Sequence, residues 1–221
     1  MVEIAGGRMK AENGATPRRG KTRIEVGGPP HRPKRRASST EPQGSLETRA
    51  REFARAAHDG VGQRRKHTDE PYIVHPMAVA EIVRTVPHSE VMIAAALLHD
   101  VVEDTNIGIA EIEAEFGSEV AQLVDWLTDV SQPSDGNRRV RKKLDLDHLA
   151  RAPAEAQTIK YADLIDNSRT ISRFDRQFWP VYRREMIALL NTLTRGDERL
   201  RRRALDVAAA GSAAAEGTRS G

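Results

Sequence analysis

The chain of 221 residues contains no cysteine, and aromatic residues make up only 4% of it. Without cysteine it can form no disulfide framework, no thiolate nucleophile and no cysteine-ligated zinc or iron–sulfur site, and its composition fits the reducing cytoplasm. It also lacks any run of about 18 apolar residues, the length that a transmembrane helix needs. The N-terminus carries no apolar stretch of the kind found in secretory signals. These absences predict a cytoplasmic protein without a membrane span.

Positive charge is concentrated at the N-terminus. Residues 1–44 hold ten Lys or Arg against four acidic residues, a net charge of +6, whereas the rest of the chain carries −3. They also contain seven Gly and five Pro without helical or strand periodicity, which predicts a disordered basic tail. The tail could contact nucleic acid or another acidic partner, but the body that follows it is not expected to bind nucleic acid. A second disordered tail is predicted at 210–221, which leaves one body at 45–209.

The body is predicted to be all-α. Apolar residues recur at helical spacing throughout it, and no stretch alternates with the period of two that a half-buried strand requires. Residues 89–103 are almost wholly apolar, which predicts a single helix buried on all sides. One helix is predicted to begin near Ser45 and another at Pro76. Further helices are predicted over 109–116, 118–129, 137–150, 154–174, 179–194 and 197–208, with the longest loop at 129–137.

The buried helix ends with four ionisable residues. His99 and Asp100 are adjacent, and Glu103 and Asp104 follow one helical turn later, so that residues four apart lie on neighbouring faces. Buried charges are costly unless they are paired or bind a cation, so this cluster indicates a metal site. Hydrated acids at a helix end would explain Glu103 and Asp104 alone. They would not explain a His-Asp pair directly after an apolar run.

Two other segments supply residues of the same chemistry. His75 lies before a proline at a predicted helix start, and Asp163 shares a helix face with Asn167. Each could instead be structural, as a hydrogen-bonded histidine and a solvated acid. Two His and two Asp without cysteine make a mixed nitrogen–oxygen site that suits Mn²⁺, Fe²⁺ or Zn²⁺. With Glu103 and Asp104 placed to orient an activated water, the set predicts metal-assisted hydrolysis of a phosphoester or pyrophosphate.

These residues lie in sequence strings that resemble one family. The set of His75, His99-Asp100 and Asp163 resembles the HD-domain metal-dependent phosphohydrolases. The surrounding strings are similar to the hydrolase domain of RelA/SpoT enzymes and to stand-alone small alarmone hydrolases, over roughly residues 48–205. The resemblance implies a compact multi-helix HD-domain bundle. The strings are AH at 57–58, GQRRK at 62–66, EPYIVHP at 70–76, AAALLHDVVEDT at 94–105, FG at 116–117 and KYAD at 160–163.

The resemblance also implies an activity and a role for each residue. The activity is hydrolysis of guanosine 3′,5′-bis(diphosphate), ppGpp, or its pentaphosphate, pppGpp, to pyrophosphate and GDP or GTP, which removes the alarmone of the stringent response. The implied metal is manganese, Mn²⁺. The family's metal ligands match His75, His99, Asp100 and Asp163, and its water-positioning acids match Glu103 and Asp104. Its nucleotide contacts match Arg65, Lys66, Asn167 and Tyr182.

Several alternatives stay open on the sequence. Asp166 stands where the family string is not normally acidic and adds negative charge near a site for a polyanion, which leaves another nucleotide or nucleoside phosphate, including NADPH, as a substrate. A nucleotide-binding HD module without activity and an antitoxin role for the hydrolase are further interpretations. Five basic residues open the helix predicted over 137–150. They form either a solvated helix start or a surface, including Arg138 and Lys142, that faces the substrate phosphates. The sequence does not indicate the oligomeric state.

Overall fold

The computed structural model describes residues 44–216, with side chains through residue 210, and every regular element in that range is helical. The all-α prediction is therefore confirmed. Of the predicted tail at 1–44, all but Gly44 lies outside the described residues, as does the predicted tail at 210–221 beyond Glu216. The helices are α1 (Leu46–Gly60), α2 (Val74–Val83), α3 (Glu90–Leu98), α4 (Val101–Asp104), α5 (Ile109–Phe116), α6 (Ser118–Leu127), α7 (Arg138–Leu149), α8 (Ala154–Phe174), α9 (Trp179–Thr192) and α10 (Glu198–Glu216).

Short polar side chains begin three of these helices. Ser45, Ser89 and Asn137 each accept a hydrogen bond from the backbone N–H three residues later, at 3.2 Å. Each cap satisfies one of the N–H groups that a helix start leaves unpaired. The cap at Ser45 lies where the sequence predicts the first helix to begin.

Helix α3 lies at the centre of the body. Its residues from Met92 to Leu98 are all buried, and α1, α2 and α6 pack around it, as its apolar sequence predicts. The long α8 is a second centre, in contact with α2, α6, α9 and α10. Because α2, α3 and α8 pack against one another, functional residues on these helices can meet in the core. None of the described helices is long and apolar enough to cross a membrane.

The helix predicted over 89–103 is divided in two. Helix α3 ends at Leu98 and α4 begins at Val101, and between them Asp100 has φ −97° and ψ −5°, in the bridge region where many active-site residues lie. Consecutive residues of a continuous helix do not face each other. The break brings His99 Nε2 within 3.2 Å of Asp100 Oδ2. The prediction of one continuous helix was therefore wrong. As a consequence of the break, the side chains of His99 and Asp100 reach the same site.

Other helix ends differ from the prediction by smaller amounts. Helix α6 ends at Leu127 rather than at 129, and α9 ends at Thr192 rather than at 194. Helix α10 continues through Glu216 and so enters the segment predicted as the C-terminal tail. That segment is rich in alanine, the strongest helix former. The predicted loop at 129–137 contains a single 3₁₀ turn, Pro133–Asp135.

Candidate active site

Three side chains from three helices converge at one point. His75 is the second residue of α2, His99 follows the last residue of α3, and Asp163 lies in the middle of α8. All three residues are buried, and one ligand atom of each lies within 4.8 Å of the others. Asp163 Oδ1 is 3.3 Å from His75 Nε2 and 3.9 Å from His99 Nε2. Two imidazole nitrogens and a carboxylate arranged in this way can hold a divalent metal.

The two imidazoles are oriented by hydrogen bonds at their Nδ1 atoms. His75 Nδ1 lies 2.7 Å from Asp166 Oδ2, and His99 Nδ1 lies 2.9 Å from the carbonyl oxygen of Ala96. Because a carbonyl oxygen only accepts, His99 Nδ1 carries a proton and His99 Nε2 is left to present a lone pair. That Nε2 atom is buried and has no hydrogen-bond partner among the described residues. A buried, unpartnered nitrogen beside carboxylates fits the binding of a cation.

Asp100 lies at the edge of this group. Its Oδ2 is 3.2 Å from His99 Nε2 and 3.5 Å from His75 Nε2, and it accepts a hydrogen bond from the Tyr72 hydroxyl at 2.7 Å. Burial opposes ionisation of Asp100, but the nearby histidines lower its pKa overall. The structure therefore brings together the four predicted metal ligands, three around a common centre and Asp100 beside them.

The carboxylates of the group attract positive charge. Asp163 Oδ2 lies 2.8 Å from Lys160 Nζ, and Asp163 Oδ1 accepts a hydrogen bond from Asn167 Nδ2 at 2.5 Å. Burial opposes ionisation, but Lys160 and His75 hold the pKa of Asp163 well below its usual range. Burial also opposes protonation of His75, yet its bonds to Asp163 and Asp166 outweigh burial and raise its pKa to about 9. The site thus favours a positive charge at its centre, whether from a protonated imidazole or from a metal.

Glu103 and Asp104 lie on α4, beside the group. Glu103 accepts a hydrogen bond from the backbone N–H of Asp129. Desolvation of its carboxylate, together with the charge of Asp129, raises the pKa of Glu103 to about 7. Asp104 accepts a hydrogen bond from Gln63 Nε2 at 2.8 Å, and Gln63 Oε1 lies 2.7 Å from Nδ1 of the buried His58. Glu103 can therefore exchange a proton near neutral pH, and Asp104 is held in place by Gln63.

Two of the predicted nucleotide contacts meet at α8, and a third lies at the surface. Arg65 donates to Asn167 Oδ1 at 3.3 Å, and its guanidinium carbon is 5.9 Å from the centre of the Tyr72 ring. Lys66 instead points outward with 78% of its side chain exposed, and its Nζ lies 3.3 Å from Asp175 Oδ2. The structure brings Arg65 and Asn167 close to the metal-binding group but leaves Lys66 outside it.

A cavity of about 900 Å³ lies beside Asp163, bounded by α7, α8 and α9. Tyr182, the remaining predicted nucleotide contact, lines it together with Lys160 and Asn167. Desolvation raises the pKa of Tyr182, so its hydroxyl stays protonated and can donate a hydrogen bond. The cavity is large enough for a nucleotide-sized ligand.

The basic start of α7 forms part of the cavity wall. Arg138 donates two hydrogen bonds to the carboxylate of Glu185 on α9, at 2.7 and 2.8 Å. Lys142 Nζ lies 2.6 Å from Asp129 Oδ2. The basic side chains that the structure places along this wall are Arg138, Arg139, Lys142 and Lys143. Arg138 and Lys142 line this wall while 47% and 39% of their side chains stay exposed. The start of α7 is therefore both solvated and part of the cavity wall, and its contact with substrate phosphates stays a prediction.

Comparison with known proteins identifies the family. The HD domain family model matches residues 50–193, which is more than half of the chain. The chain belongs to the HD domain family.

Relatives of this HD domain include several named for ppGpp hydrolysis. Human guanosine-3′,5′-bis(diphosphate) 3′-pyrophosphohydrolase MESH1 is 35% identical over 140 residues, which cover 61% of this chain and 74% of that protein. A probable guanosine-3′,5′-bis(diphosphate) 3′-pyrophosphohydrolase of Synechocystis is 41% identical over 118 residues, which cover 52% of this chain but only 16% of that protein. A solved structure described as a metazoan ortholog of SpoT that hydrolyses ppGpp matches with a TM-score of 0.66 and 27% identity, over 74% of this chain and 94% of the other.

Asp166, the acid that the sequence places near the proposed site, lies beside the metal-binding group. Its Oδ2 lies against His75, 3.7 Å from Arg65 Nη2, and its Oδ1 is 4.0 Å from Arg169 Nη1. The extra acid of this HD domain therefore faces an imidazole and two guanidinium groups. These neighbours offset its negative charge, and the other substrates that Asp166 leaves open on the sequence stay predictions.

Three residues of this HD domain support the site although the sequence assigns them no role. Tyr72 donates a hydrogen bond to Asp100, Gln63 donates one to Asp104, and His58 lies within hydrogen-bond distance of Gln63. All three lie within the strings that carry the family resemblance, so the resemblance marks these positions although it does not indicate their partners. Their partners are 28 and 41 positions away for Tyr72 and Gln63, and helical spacing connects only residues three or four apart.

Proposed function

We propose that this HD domain hydrolyses ppGpp and pppGpp to pyrophosphate and GDP or GTP, and so removes the alarmone of the stringent response. The observation that carries the proposal is the convergence of His75, His99 and Asp163 around a buried imidazole nitrogen that has no hydrogen-bond partner among the described residues. The names of the human relative and of the matched structure describe action on ppGpp, which supports this choice of substrate.

The proposed metal is Mn²⁺, and His75, His99, Asp100 and Asp163 would hold it. A mixed set of imidazole and carboxylate donors suits a metal of this class better than a soft, thiolate-seeking ion. When bound, such a metal supplies Lewis-acid stabilisation of phosphoryl oxygens and lowers the pKa of a water molecule. The contacts at the two Nδ1 atoms leave both Nε2 atoms facing the centre of the group.

The proposed reaction breaks the bond between the ribose 3′ oxygen and its phosphorus. A water oxygen bonds to that phosphorus while one of its protons passes to Glu103, and the bond to the 3′ oxygen breaks with its electrons going to that oxygen. The 3′ oxygen takes a proton from solvent to become the hydroxyl of GDP, pyrophosphate is released, and Glu103 returns its proton to solvent. Glu103 suits this role because a pKa of about 7 allows its carboxylate to accept and release a proton near neutral pH. Asp104, held by Gln63 at 2.8 Å, would orient the same water.

Cationic and polar side chains would bind the nucleotide. The planar guanidinium of Arg65 can stack on a base or pair with phosphate, and the mobile ammonium of Lys66 can reach a phosphate from the surface. Asn167 and Tyr182 line the cavity beside Asp163 and would donate hydrogen bonds to the ribose or to phosphate oxygens. The α7 cations Arg138 and Lys142 would receive phosphate groups in place of their present carboxylate partners.

The proposed division of the chain places the chemistry in residues 45–209, with 1–44 and 210–221 contributing no group to it. We propose that the protein acts in the cytoplasm on a small nucleotide, and not on nucleic acid through its body. A basic tail that contacts nucleic acid or another acidic partner is compatible with this activity. Recovery of the protein in a membrane or secreted fraction of cells would contradict the location.

The test is pyrophosphate release from ppGpp by the purified full chain with Mn²⁺, with GDP followed by anion-exchange chromatography. His99→Ala removes a proposed ligand. His88→Ala is the matched control, because His88 is an exposed histidine outside the site. We expect the wild type and His88→Ala to release pyrophosphate and His99→Ala to release none.

Each other outcome would change the proposal in a defined way. Undiminished release by His99→Ala would contradict the metal site. Hydrolysis of NADPH or another nucleoside phosphate, but not of ppGpp, would keep the enzyme and replace its substrate. Tight nucleotide binding without any hydrolysis by the Mn²⁺-loaded protein would identify a binding module instead of an enzyme.

A further inference from the structure

Asp166 connects the metal-binding group with the nucleotide-binding arginine. It lies on α8, next to Asn167, and only 14% of its side chain is exposed. Its Oδ2 atom is 2.7 Å from His75 Nδ1 and 3.7 Å from Arg65 Nη2. One carboxylate oxygen thus contacts a proposed metal ligand and a proposed substrate contact, while Asp166 itself belongs to neither set.

The contact with His75 has a chemical consequence for metal binding. A carboxylate only accepts hydrogen bonds, so Nδ1 of a metal-binding His75 must carry the proton and Nε2 must be the donor atom, which lies 3.3 Å from Asp163 Oδ1. A carboxylate at the far nitrogen also makes an imidazole a stronger ligand. His99 differs, because its Nδ1 meets the neutral backbone carbonyl of Ala96. Of the two imidazole ligands, His75 is therefore the one whose orientation depends on a side chain that can be replaced.

The same oxygen, Asp166 Oδ2, also forms an ion pair with Arg65. Only 12% of the Arg65 side chain is exposed. Its hydrogen bonds go to neutral oxygens of Asn167 and Thr170, both at 3.3 Å, so its contact with Asp166 is the charged one. Among the described residues, Asp166 is the one acid within ion-pair distance of this guanidinium. Loss of the carboxylate would leave a nearly buried arginine without a charged partner.

We propose that Asp166 is a positioning residue that holds His75 for metal binding and Arg65 for substrate binding through one carboxylate oxygen. The part that concerns Arg65 rests on the proposed function. The part that concerns His75 does not need the substrate, because metal affinity can be measured without it.

The experiment measures Mn²⁺ affinity of the full chain by titration calorimetry. Asp166→Ala removes the carboxylate, and Asp166→Asn keeps an oxygen that can accept from His75 Nδ1. The matched control is Glu81→Gln, because Glu81 is an exposed acid on the same helix as His75 and pairs with Arg84 at 3.2 Å. We expect Asp166→Ala to weaken Mn²⁺ binding about ten- to hundredfold, Asp166→Asn to weaken it less, and Glu81→Gln to leave it unchanged.

Two further readouts separate positioning from a general structural role. In the Zn²⁺-loaded protein, the His75 Nδ1 proton should give a protected, downfield NMR signal that is retained in Asp166→Asn and lost in Asp166→Ala. At saturating Mn²⁺, Asp166→Ala should regain most of the wild-type kcat for ppGpp but keep a KM raised several-fold, because Arg65 has lost its charged partner.

An Mn²⁺ affinity of folded Asp166→Ala equal to that of the wild type would overturn the proposal. If Asp166→Ala does not fold, Asp166→Ser takes its place, because its short hydroxyl cannot reach His75, and the same comparison decides. A wild-type protein that binds Mn²⁺ without hydrolysing ppGpp would refute the proposed function, while the affinity series would still decide the role of Asp166. A wild-type protein that binds neither Mn²⁺ nor Zn²⁺ would overturn both.

Discussion

Removal of a single hydroxyl group should test how the metal-binding group is held. Tyr72→Phe deletes the hydroxyl that donates to Asp100 Oδ2 at 2.7 Å. It keeps the ring, whose centre lies 4.7 Å from the His58 ring and 5.9 Å from the His75 ring. A hydrogen bond to a charged group contributes about 1.5–3 kcal/mol. The free energy of unfolding of the metal-free protein should fall by about that amount, with little change in packing.

The same deletion should also weaken metal binding. Asp100 Oδ2 accepts from Tyr72 and lies 3.2 Å from His99 Nε2 and 3.5 Å from His75 Nε2. The hydroxyl therefore orients this carboxylate toward the two proposed histidine ligands. Loss of an outer-shell partner of this kind typically lowers metal affinity about ten- to hundredfold. At about 1.4 kcal/mol per tenfold, this range agrees with the loss of one charge-assisted hydrogen bond.

The assay combines Mn²⁺ titration calorimetry with urea unfolding of the metal-free protein. Tyr161→Phe is the matched control. Tyr161 is a buried tyrosine of α8 whose hydroxyl donates to the Leu193 carbonyl at 2.6 Å and not to a proposed ligand. It should lose stability and keep wild-type Mn²⁺ affinity. Wild-type affinity in Tyr72→Phe would refute the reasoning. An equal loss of affinity in both variants would show that metal binding only follows global stability.

Three further predictions concern catalysis, packing and the tail. Glu103→Gln should lower kcat/KM about a hundredfold or more. It should also abolish the rise in rate as the pH increases through about 7, because only the ionised carboxylate accepts a proton. A pH–rate profile of the variant that keeps this rise would contradict the role of Glu103. Gly196→Ala should lower the melting temperature, because the added Cβ would lie 2.8 Å from the Thr158 backbone nitrogen. Gly60→Ala should leave the melting temperature unchanged, because no heavy atom lies within 4 Å of the Cβ it adds. Scanning calorimetry of both variants checks this difference. A chain without residues 1–44 should keep wild-type turnover of ppGpp, and a large loss would assign the tail a part in the chemistry.

Local sequence patterns were sufficient to predict most helices. Helices α5 and α8 span the predicted residues. Their limits are marked by Gly117, which has φ 86° directly after α5, and by Pro153 directly before α8, and both residue types interrupt helices locally. The segment 89–103 contains neither glycine nor proline. Its break at His99 and Asp100 was missed because it depends on contacts with residues of other helices.

The sequence by itself determined the all-α class and the residue types available to the site, two histidines and several carboxylates without cysteine, because composition and helical periodicity are local properties of the chain. Only the tertiary structure decided which atoms meet. Asp166 contacts Nδ1 of His75, Tyr72 holds Asp100, and basic side chains of α7 line a cavity. These contacts join segments far apart in the chain, so they follow from the way the helices pack and from no single segment.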